Sequence, residues 1–172
     1  YEIMDNVFVH AEVDHGFVMA QYHASHNSVA FCIFDNGVGI KNSFLKSLEH
    51  HPSNQLDAIT LALQEGIGDG AGAGNGLYGL HQIMMQNKGR LAITSGDSSM
   101  TFFSNGEIKS KTHIPYISKN NCGTIVDFQI NLNDKIDLLR IFSKIGGLDV
   151  FDPRIDGMTQ ENDLLLYDIH AH

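Results

Sequence analysis

The sequence predicts a two-layer α/β sandwich of the α+β type, with a mixed, largely antiparallel sheet and helices on one face. Two β-rich runs at residues 17–24 and 28–34 are separated by only three residues, which is the spacing of an antiparallel hairpin. Two segments of helical periodicity follow, and three further β-rich runs come after them. A hairpin followed by helices and more strands favours this class over the alternating pattern of a parallel sheet.

The composition is that of a globular protein. The chain has 172 residues, of which 42% are hydrophobic and 18% charged, enough for one core. A formal net charge of −9 argues against a nucleic-acid partner, which requires clustered Lys and Arg. No apolar run approaches the roughly 20 residues that cross a bilayer, and no secretory layout is present. Cys32 and Cys122 lack CxxC spacing, so a reduced, cytoplasmic compartment is expected.

Residues 1–12 are predicted to form an amphipathic helix. Its apolar positions recur at helical spacing and are Ile3, Met4, Val7 and Ala11. Glu2, Asn6 and His10 lie four residues apart along the other side. A carboxylate and a carboxamide one turn apart can hold a water and a hydrated Mg²⁺ side by side. Because the chain begins inside this helix, we expect that a preceding segment has been removed.

The hairpin is predicted to place its second strand centrally. Residues 29–34 are apolar on both faces, which is typical of a strand with neighbours on each side. The strand ends at the turn-forming cluster Asp35-Asn36-Gly37.

A long connection, residues 41–73, is predicted to contain a helix, with Ser53 or Asn54 as N-cap. The helix is indicated by Leu56, Ile59 and Leu63. Residues 66–76 are glycine-rich and should be mobile unless a ligand orders them.

A second helix is predicted from Leu77 to the segment 87–89. Strands are predicted at residues 90–95, 100–104 and 124–132, and a helix is one possibility over 136–142. The acidic remainder of the chain has no clear period.

The second helix opens on Gly74-x-Gly76-x-x-Gly79, which satisfies the dinucleotide-binding pattern. That fold requires an apolar strand immediately before the motif, and here the preceding residues are glycine-rich instead. The P-loop form is excluded because no Gly-Lys-Ser/Thr follows. A helix N-terminus still attracts phosphate through its free N–H groups and its dipole. A flexible surface loop is the alternative interpretation of this motif alone.

Asp35-Asn36-Gly37-Val38-Gly39 places a carboxylate at a strand end before two glycines. Such a carboxylate can accept a hydrogen bond from an exocyclic amine such as the adenine N6, and glycine lets the backbone approach a flat base closely. A tight turn with a solvated Asp explains the same residues when they are considered alone.

Taken together and in this order, the motifs resemble the Bergerat-fold ATP-binding domains. That family includes sensor histidine kinases, anti-sigma-factor kinases, type II topoisomerase ATPase subunits, mismatch-repair ATPases and the ninety-kilodalton heat-shock chaperone. Glu2-x-x-x-Asn6-x-x-x-His10 resembles their N box, and the Asp35 stretch resembles their first glycine box. The Gly74 motif resembles the second glycine box, and Gly123-Thr124 resembles the pair that opens the final core strand.

The resemblance implies a role for each matching position. Asn6 would coordinate Mg²⁺, and Glu2 would orient or deprotonate the attacking group. Asp35 would bind the adenine amine with the assistance of Thr124. The glycine boxes would shape the adenine pocket and cradle the phosphates; their residues are Gly37, Gly39, Gly74, Gly76, Leu77 and Gly79. Phosphoryl transfer depends mainly on positioning and charge neutralisation, which such a site supplies.

The resemblance covers residues 1–132, predicted as one ATP-binding domain, and leaves residues 133–172 as an extension of unknown role. The inserted Tyr78 matches one histidine-kinase subgroup and stand-alone ATP-binding proteins. The histidine pairs His23-x-x-His26, His50-His51 and His170-x-His172 lack zinc-site spacing, so no structural metal is expected.

Three functions are weighed. The first is an Mg-ATP-binding kinase or ATPase domain of a bacterial-type signalling or regulatory system, whose phosphoacceptor or protein partner the sequence does not name. The second is a non-catalytic module in which ATP orders a partner-binding surface. The third is a dinucleotide oxidoreductase, which is disfavoured because it leaves the N-terminal motif unexplained.

Overall fold

A computed structural model describes residues 16–45, 49–68, 74–114 and 123–137. Its sheet has six strands in the order β1-β2-β6-β3-β4-β5, and every pairing between them is antiparallel. The strands are β1 (Gly16–His23), β2 (Ser28–Asp35), β3 (Arg90–Ser95), β4 (Ser98–Phe103), β5 (Ile108–Lys111) and β6 (Thr124–Asn131). The helices predicted over residues 1–12 and 136–142 lie wholly or largely outside the described residues.

The hairpin of β1 and β2 is confirmed. Its strands pair over eight residues each, from Gly16 opposite Asp35 to His23 opposite Ser28. A single 3₁₀ turn, Ala24–His26, joins them, and Asn27 closes the turn in the left-handed conformation with φ of 44°. Asparagine tolerates this conformation better than most residues because its short polar side chain bonds locally. The sheet order places β2 between β1 and β6, as the apolar character of both its faces predicts.

In the described ranges three α-helices accompany the sheet: α1 (Ile40–Phe44), α2 (Gln55–Ala62) and α3 (Gly76–Gln86). Asn54 is the N-cap of α2, since its side-chain oxygen accepts a hydrogen bond from the Asp57 amide at 2.9 Å. This selects between the two predicted caps. The predicted end of α3 is also confirmed, because Asn87 is its C-cap and Lys88 follows with a φ of 53°.

The helices pack on one face of the sheet, so the predicted fold class is confirmed. Alternate residues of β3, starting with Leu91 and Ile93, are buried on this face, which we call the helix face. The core combines them with residues of all three helices and of β4 and β6: Ile40, Phe44, Ala58, Ile59, Ala62, Leu80, Met84, Phe102 and Val126. None of the described helices is long and apolar enough to span a membrane.

Two described elements are absent from the prediction. Helix α1 begins immediately after Gly39 and has only five residues. Strand β5 is exposed at every position and contains two lysines, so it lacks the apolar alternation by which a strand is recognised. Strand β4 also begins two residues earlier than predicted, at Ser98.

Candidate functional site

Asp35 is the last residue of β2 and is only 6% exposed. It lies opposite Thr124, the first residue of β6, and its side chain is on the helix face because it alternates with the buried Ile33. The Gly37 amide donates to Asp35 Oδ1 at 2.8 Å. Removal from water raises the pKa of Asp35, while the backbone amides of Gly37 and Thr124 act in the opposite direction. The structure thus holds a buried carboxylate in a fixed orientation.

Two glycines, Gly39 and Gly123, lie close to the backbone at the end of the strand that carries Asp35. Gly39 has a φ of 76°, and a Cβ there would lie 3.1 Å from Ser95 Oγ and 3.3 Å from the Gly123 carbonyl oxygen. Gly123 has a φ of 104°, and its Cβ would lie 2.6 Å from the Asp35 carbonyl oxygen. A side chain at either position would be strained and crowded. The fold therefore brings the first glycine motif and the Gly123-Thr124 pair into direct contact, although 84 residues separate Gly39 from Gly123 in the sequence.

Ser95 extends this cluster and was missed by the sequence analysis. It is the last residue of β3, lies opposite Thr124 and is fully buried. Its hydroxyl oxygen accepts a hydrogen bond from the Ile40 amide at 2.8 Å. The only sequence signal is a serine at the end of an otherwise apolar alternation, directly before Gly96. Asp35, Thr124 and Ser95 thus form a polar row across three adjacent strands, which we call the polar row.

The second glycine motif closes a loop before α3. Gly74 has a φ of 68°, and a Cβ there would lie 2.6 Å from the Ile67 carbonyl carbon. Asn75 Oδ1 accepts from the Gly66 amide at 2.9 Å. The two ends of segment 66–74 therefore meet at one point. Residues 69–73 lie outside the described residues.

The remaining predicted residues of this motif occupy the first turn of α3. Gly76 is its first residue, and the Gly79 amide donates to the Asn75 carbonyl oxygen at 2.7 Å. Gly79 is buried, and Leu77 packs against the core while remaining partly exposed. Helix α3 lies against β3 and β6, which are the strands that carry Ser95 and Thr124. The amides of Gly76 and Leu77 belong to the group that a helix N-terminus leaves without intrahelical acceptors.

The predicted catalytic and metal residues, Glu2 and Asn6, lie outside the described residues, so their assignments stay predictions. The described part of the chain contains no cluster of three or more His, Cys, Asp or Glu side chains that could hold a metal ion. The Mg²⁺ assignment therefore depends on the N-terminal motif.

A separate cleft of about 470 Å³ lies on the sheet face opposite the helices, near the start of β3. Its lining includes Lys88, Arg90 and Gln129. Lys88 Nζ is paired with Asp134 Oδ1 at 3.1 Å, and Arg90 is paired with Asp127. Because Arg90 and Ser95 are at opposite ends of β3, this cleft is distinct from the polar row.

No protein-family model matches the sequence, and no curated protein matches it. A solved structure of a topoisomerase IV ATP-binding domain from Francisella tularensis, in complex with a small-molecule inhibitor, is similar to this chain. The two are 18% identical, the match covers 83% of this chain and 69% of that chain, and the TM-score is 0.42. Values this low assign no residue role in this chain.

The polar row has a defined chemical capacity. An ionised carboxylate offers about four lone-pair positions, of which two amides take up two here. The remaining positions can accept from an exocyclic amine. The Thr124 hydroxyl, on the same face, can donate or accept. The arrangement therefore suits a flat heterocycle that carries an amino group.

Proposed function

We propose that this chain binds Mg-ATP as the catalytic domain of a histidine-kinase-like ATPase or kinase in a bacterial-type signalling system, and that it acts in the cytoplasm. The observation that carries the proposal is Asp35, a buried carboxylate oriented by two backbone amides, with Gly39 and Gly123 close together at the end of its strand. Removal of a charge from water costs free energy, and a residue that served only to form a turn would not require that cost.

Adenine recognition is assigned to this carboxylate. The amino group donates to Asp35, and the glycine backbone lets the ring approach where a side chain would be in the way. Thr124 contacts the base beside it. Burial increases the contribution of this hydrogen bond to binding, because water does not replace the partner that a buried group has lost.

The phosphates are assigned to the start of α3, where Gly74, Gly76, Leu77 and Gly79 precede or form the first turn. The N-terminus of an 11-residue helix favours anions through its orphan amides and its dipole. Asn6 is assigned as the ligand of Mg²⁺, which would neutralise phosphate charge, and Glu2 as the group that orients the attacking nucleophile.

Calorimetric titration with ADP tests the adenine assignment. In Asp35→Asn the carboxamide presents an N–H₂ group where the adenine amine needs an acceptor, so we expect binding to weaken by about 1–3 kcal/mol. Asp127→Asn is the matched control, since Asp127 is on β6 only three residues from Thr124 but on the opposite face. Equal affinity of the Asp35 variant and the parent would refute the assignment.

Phosphate release distinguishes the reaction classes. Release of inorganic phosphate from Mg-ATP above the buffer background supports an ATPase, and labelling of an added protein acceptor supports a kinase. Tight ADP and ATP binding with neither activity would replace the catalytic proposal with that of a nucleotide-dependent binding module.

A further inference from the structure

The first glycine motif makes local hydrogen bonds within its own turn and to α1, where Asn42 Nδ2 donates to the Val38 carbonyl oxygen at 2.9 Å. The Gly37 amide bonds back to Asp35, two residues earlier. Beyond Gly37 the backbone passes through Gly39, with a φ of 76°, and enters α1, a helix of only five residues. So short a helix has little intrinsic stability. The position of this segment must therefore be set by contacts with the rest of the fold.

Ser95 supplies such a contact. Its hydroxyl oxygen accepts the Ile40 amide at 2.8 Å and lies 3.1 Å from where a Gly39 Cβ would be. Ile40 is 9% exposed and Ser95 is fully buried, so water cannot replace this hydrogen bond. The Ile40 amide is in the first turn of α1 and has no acceptor within its own helix. Ser95 thus acts as a capping group that comes from a neighbouring strand.

The strand that carries Ser95 is the one that follows α3 in the chain. Helix α3 contains the second glycine motif, and β3 begins four residues after its end. Ser95 also lies opposite Thr124, which in turn lies opposite Asp35. One hydroxyl group therefore links the segment that follows α3 to the turn beside the buried carboxylate.

We propose that Ser95 is a positioning residue of the nucleotide site, because its hydroxyl fixes the Gly37–Ile40 segment against the polar row. This inference rests on the proposed function. Ser95 does not need to touch the nucleotide. It sets the place of the Gly39 backbone, which borders the space assigned to the adenine ring.

The test compares Ser95→Ala with Ser98→Ala. Ser98 is the direct cross-strand neighbour of Ser95, is 3% exposed, and bonds to Asp97 instead of the turn. Each variant loses one hydroxyl from a buried serine on the same face. Two quantities are measured: amide hydrogen exchange at Ile40, with Leu91 and Ile93 as core references, and ADP affinity per folded molecule by calorimetry.

We expect Ser95→Ala to speed exchange at Ile40 by about tenfold or more without changing the core amides, because the amide loses its acceptor. We expect ADP affinity to fall by about fivefold, the factor that corresponds to about 1 kcal/mol. Ser98→Ala should change neither quantity. If Ser95→Ala does not fold, hydrogen exchange in the parent protein still tests the inference. The Ile40 amide should exchange more slowly than the Lys41 amide, and more slowly again with ADP bound.

Unchanged exchange at Ile40 in Ser95→Ala would overturn the inference. So would faster exchange with unchanged ADP affinity, because the contact would then be structural only. Failure of the parent to bind ADP would instead overturn the proposed function, and the exchange rates would still decide whether Ser95 holds Ile40.

Discussion

The side chain of Asn87 pairs with the backbone of Asn131 as a neighbouring strand would. Asn87 Oδ1 accepts from the Asn131 amide at 2.6 Å, and Asn87 Nδ2 donates to the Asn131 carbonyl oxygen at 2.8 Å. Strand β3 ends its pairing with β6 at Arg90 opposite Gln129, so Asn131 is two residues beyond the last paired residue of β6. The carboxamide continues the ladder and ties the C-terminus of α3 to the end of β6.

Replacement of Asn87 should therefore be strongly destabilising. Asn87→Ala leaves both backbone groups of Asn131 without these partners in a site where Asn87 itself is 0% exposed. We expect the free energy of unfolding to fall by about 2–4 kcal/mol. Asn105→Ala, which removes one exposed turn contact to the Glu107 amide, should lower it by less than about 1 kcal/mol. Urea unfolding measures both, and equal losses would contradict the bridging role.

Asp35 should make stability fall as the pH rises. Burial raises the pKa of Asp35 above its ordinary value of 3.8, so the folded chain holds this proton more tightly than the unfolded chain does. Stability from this group is complete below 3.8 and is lost as the pH rises through the raised folded value. Asp35→Asn does not ionise, so its stability relative to the parent should improve as the pH rises from below 3.8 towards neutrality.

Urea unfolding of the parent and of Asp35→Asn without nucleotide, across that pH range, checks this expectation. If the free energies of unfolding of the two proteins differ by the same amount at every pH, the desolvation of Asp35 does not affect folding stability. Together with weaker ADP binding, the expected result would separate a functional carboxylate from a structural one.

Gly39 should be needed for more than its backbone conformation. Gly39→Ala adds a Cβ at a positive φ and against Ser95 Oγ and the Gly123 carbonyl oxygen, so we expect a loss of stability and weaker ADP binding. Gly106→Ala places the same strain, at a φ of 84°, where nothing lies within 4 Å. Gly106→Ala should therefore lose stability but keep normal ADP affinity. Thermal melting and ADP titration distinguish the two, and normal ADP affinity in Gly39→Ala would count against a nucleotide beside this turn.

The segment 66–74 should respond to nucleotide. It contains five glycines, which carry the largest backbone entropy of any stretch of the chain. Ligand contacts are therefore required to offset the entropy that is lost when the segment becomes ordered. We expect its amides to exchange more slowly with Mg-ATP than without it. The amides of the β4–β5 turn, at Gly106, serve as the control. Equal exchange of segment 66–74 in both states would refute the prediction.

Asn6 should affect the metal-dependent step alone. Asn6→Ala removes the proposed Mg²⁺ ligand and leaves the adenine site intact, so we expect weaker Mg-ATP binding or turnover and normal binding of ADP in the absence of metal. Titrations with and without Mg²⁺ decide this. A loss of metal-free ADP binding equal to the loss with Mg²⁺ would indicate a general disturbance of the site.

The parts of the fold predicted from sequence are those encoded by local pattern. The β1–β2 hairpin follows from two β-rich runs joined by a short polar turn, and the start of α2 from a cap, Asn54, three residues before Asp57. The stop of α3 follows from the polar segment after Gln86. In each case the deciding residues are within a few positions of each other.

The parts that were missed depend on distant residues. Strand β5 is held by its pairing with β4, because its one apolar side chain, Ile108, is exposed like the rest of the strand. Helix α1 is fixed through Ser95, 55 residues away from Ile40. The contact of Gly39 with Gly123 was not predicted, since the family resemblance implied only that Asp35 and Thr124 act together at the adenine. Helical or strand periodicity contains no information about such partners.

The strand order has a consequence for how the chain must fold. Strands β1 and β2 form one local hairpin, and β3, β4 and β5 form another local unit, yet the two units share no pairing with each other. Among the described strands only β6 pairs with both units, and it comes last of them in the chain. During synthesis the two units therefore cannot pair through β6 until residues 124–131 have left the ribosome, and the polar row cannot be complete before then, since Thr124 is its middle member.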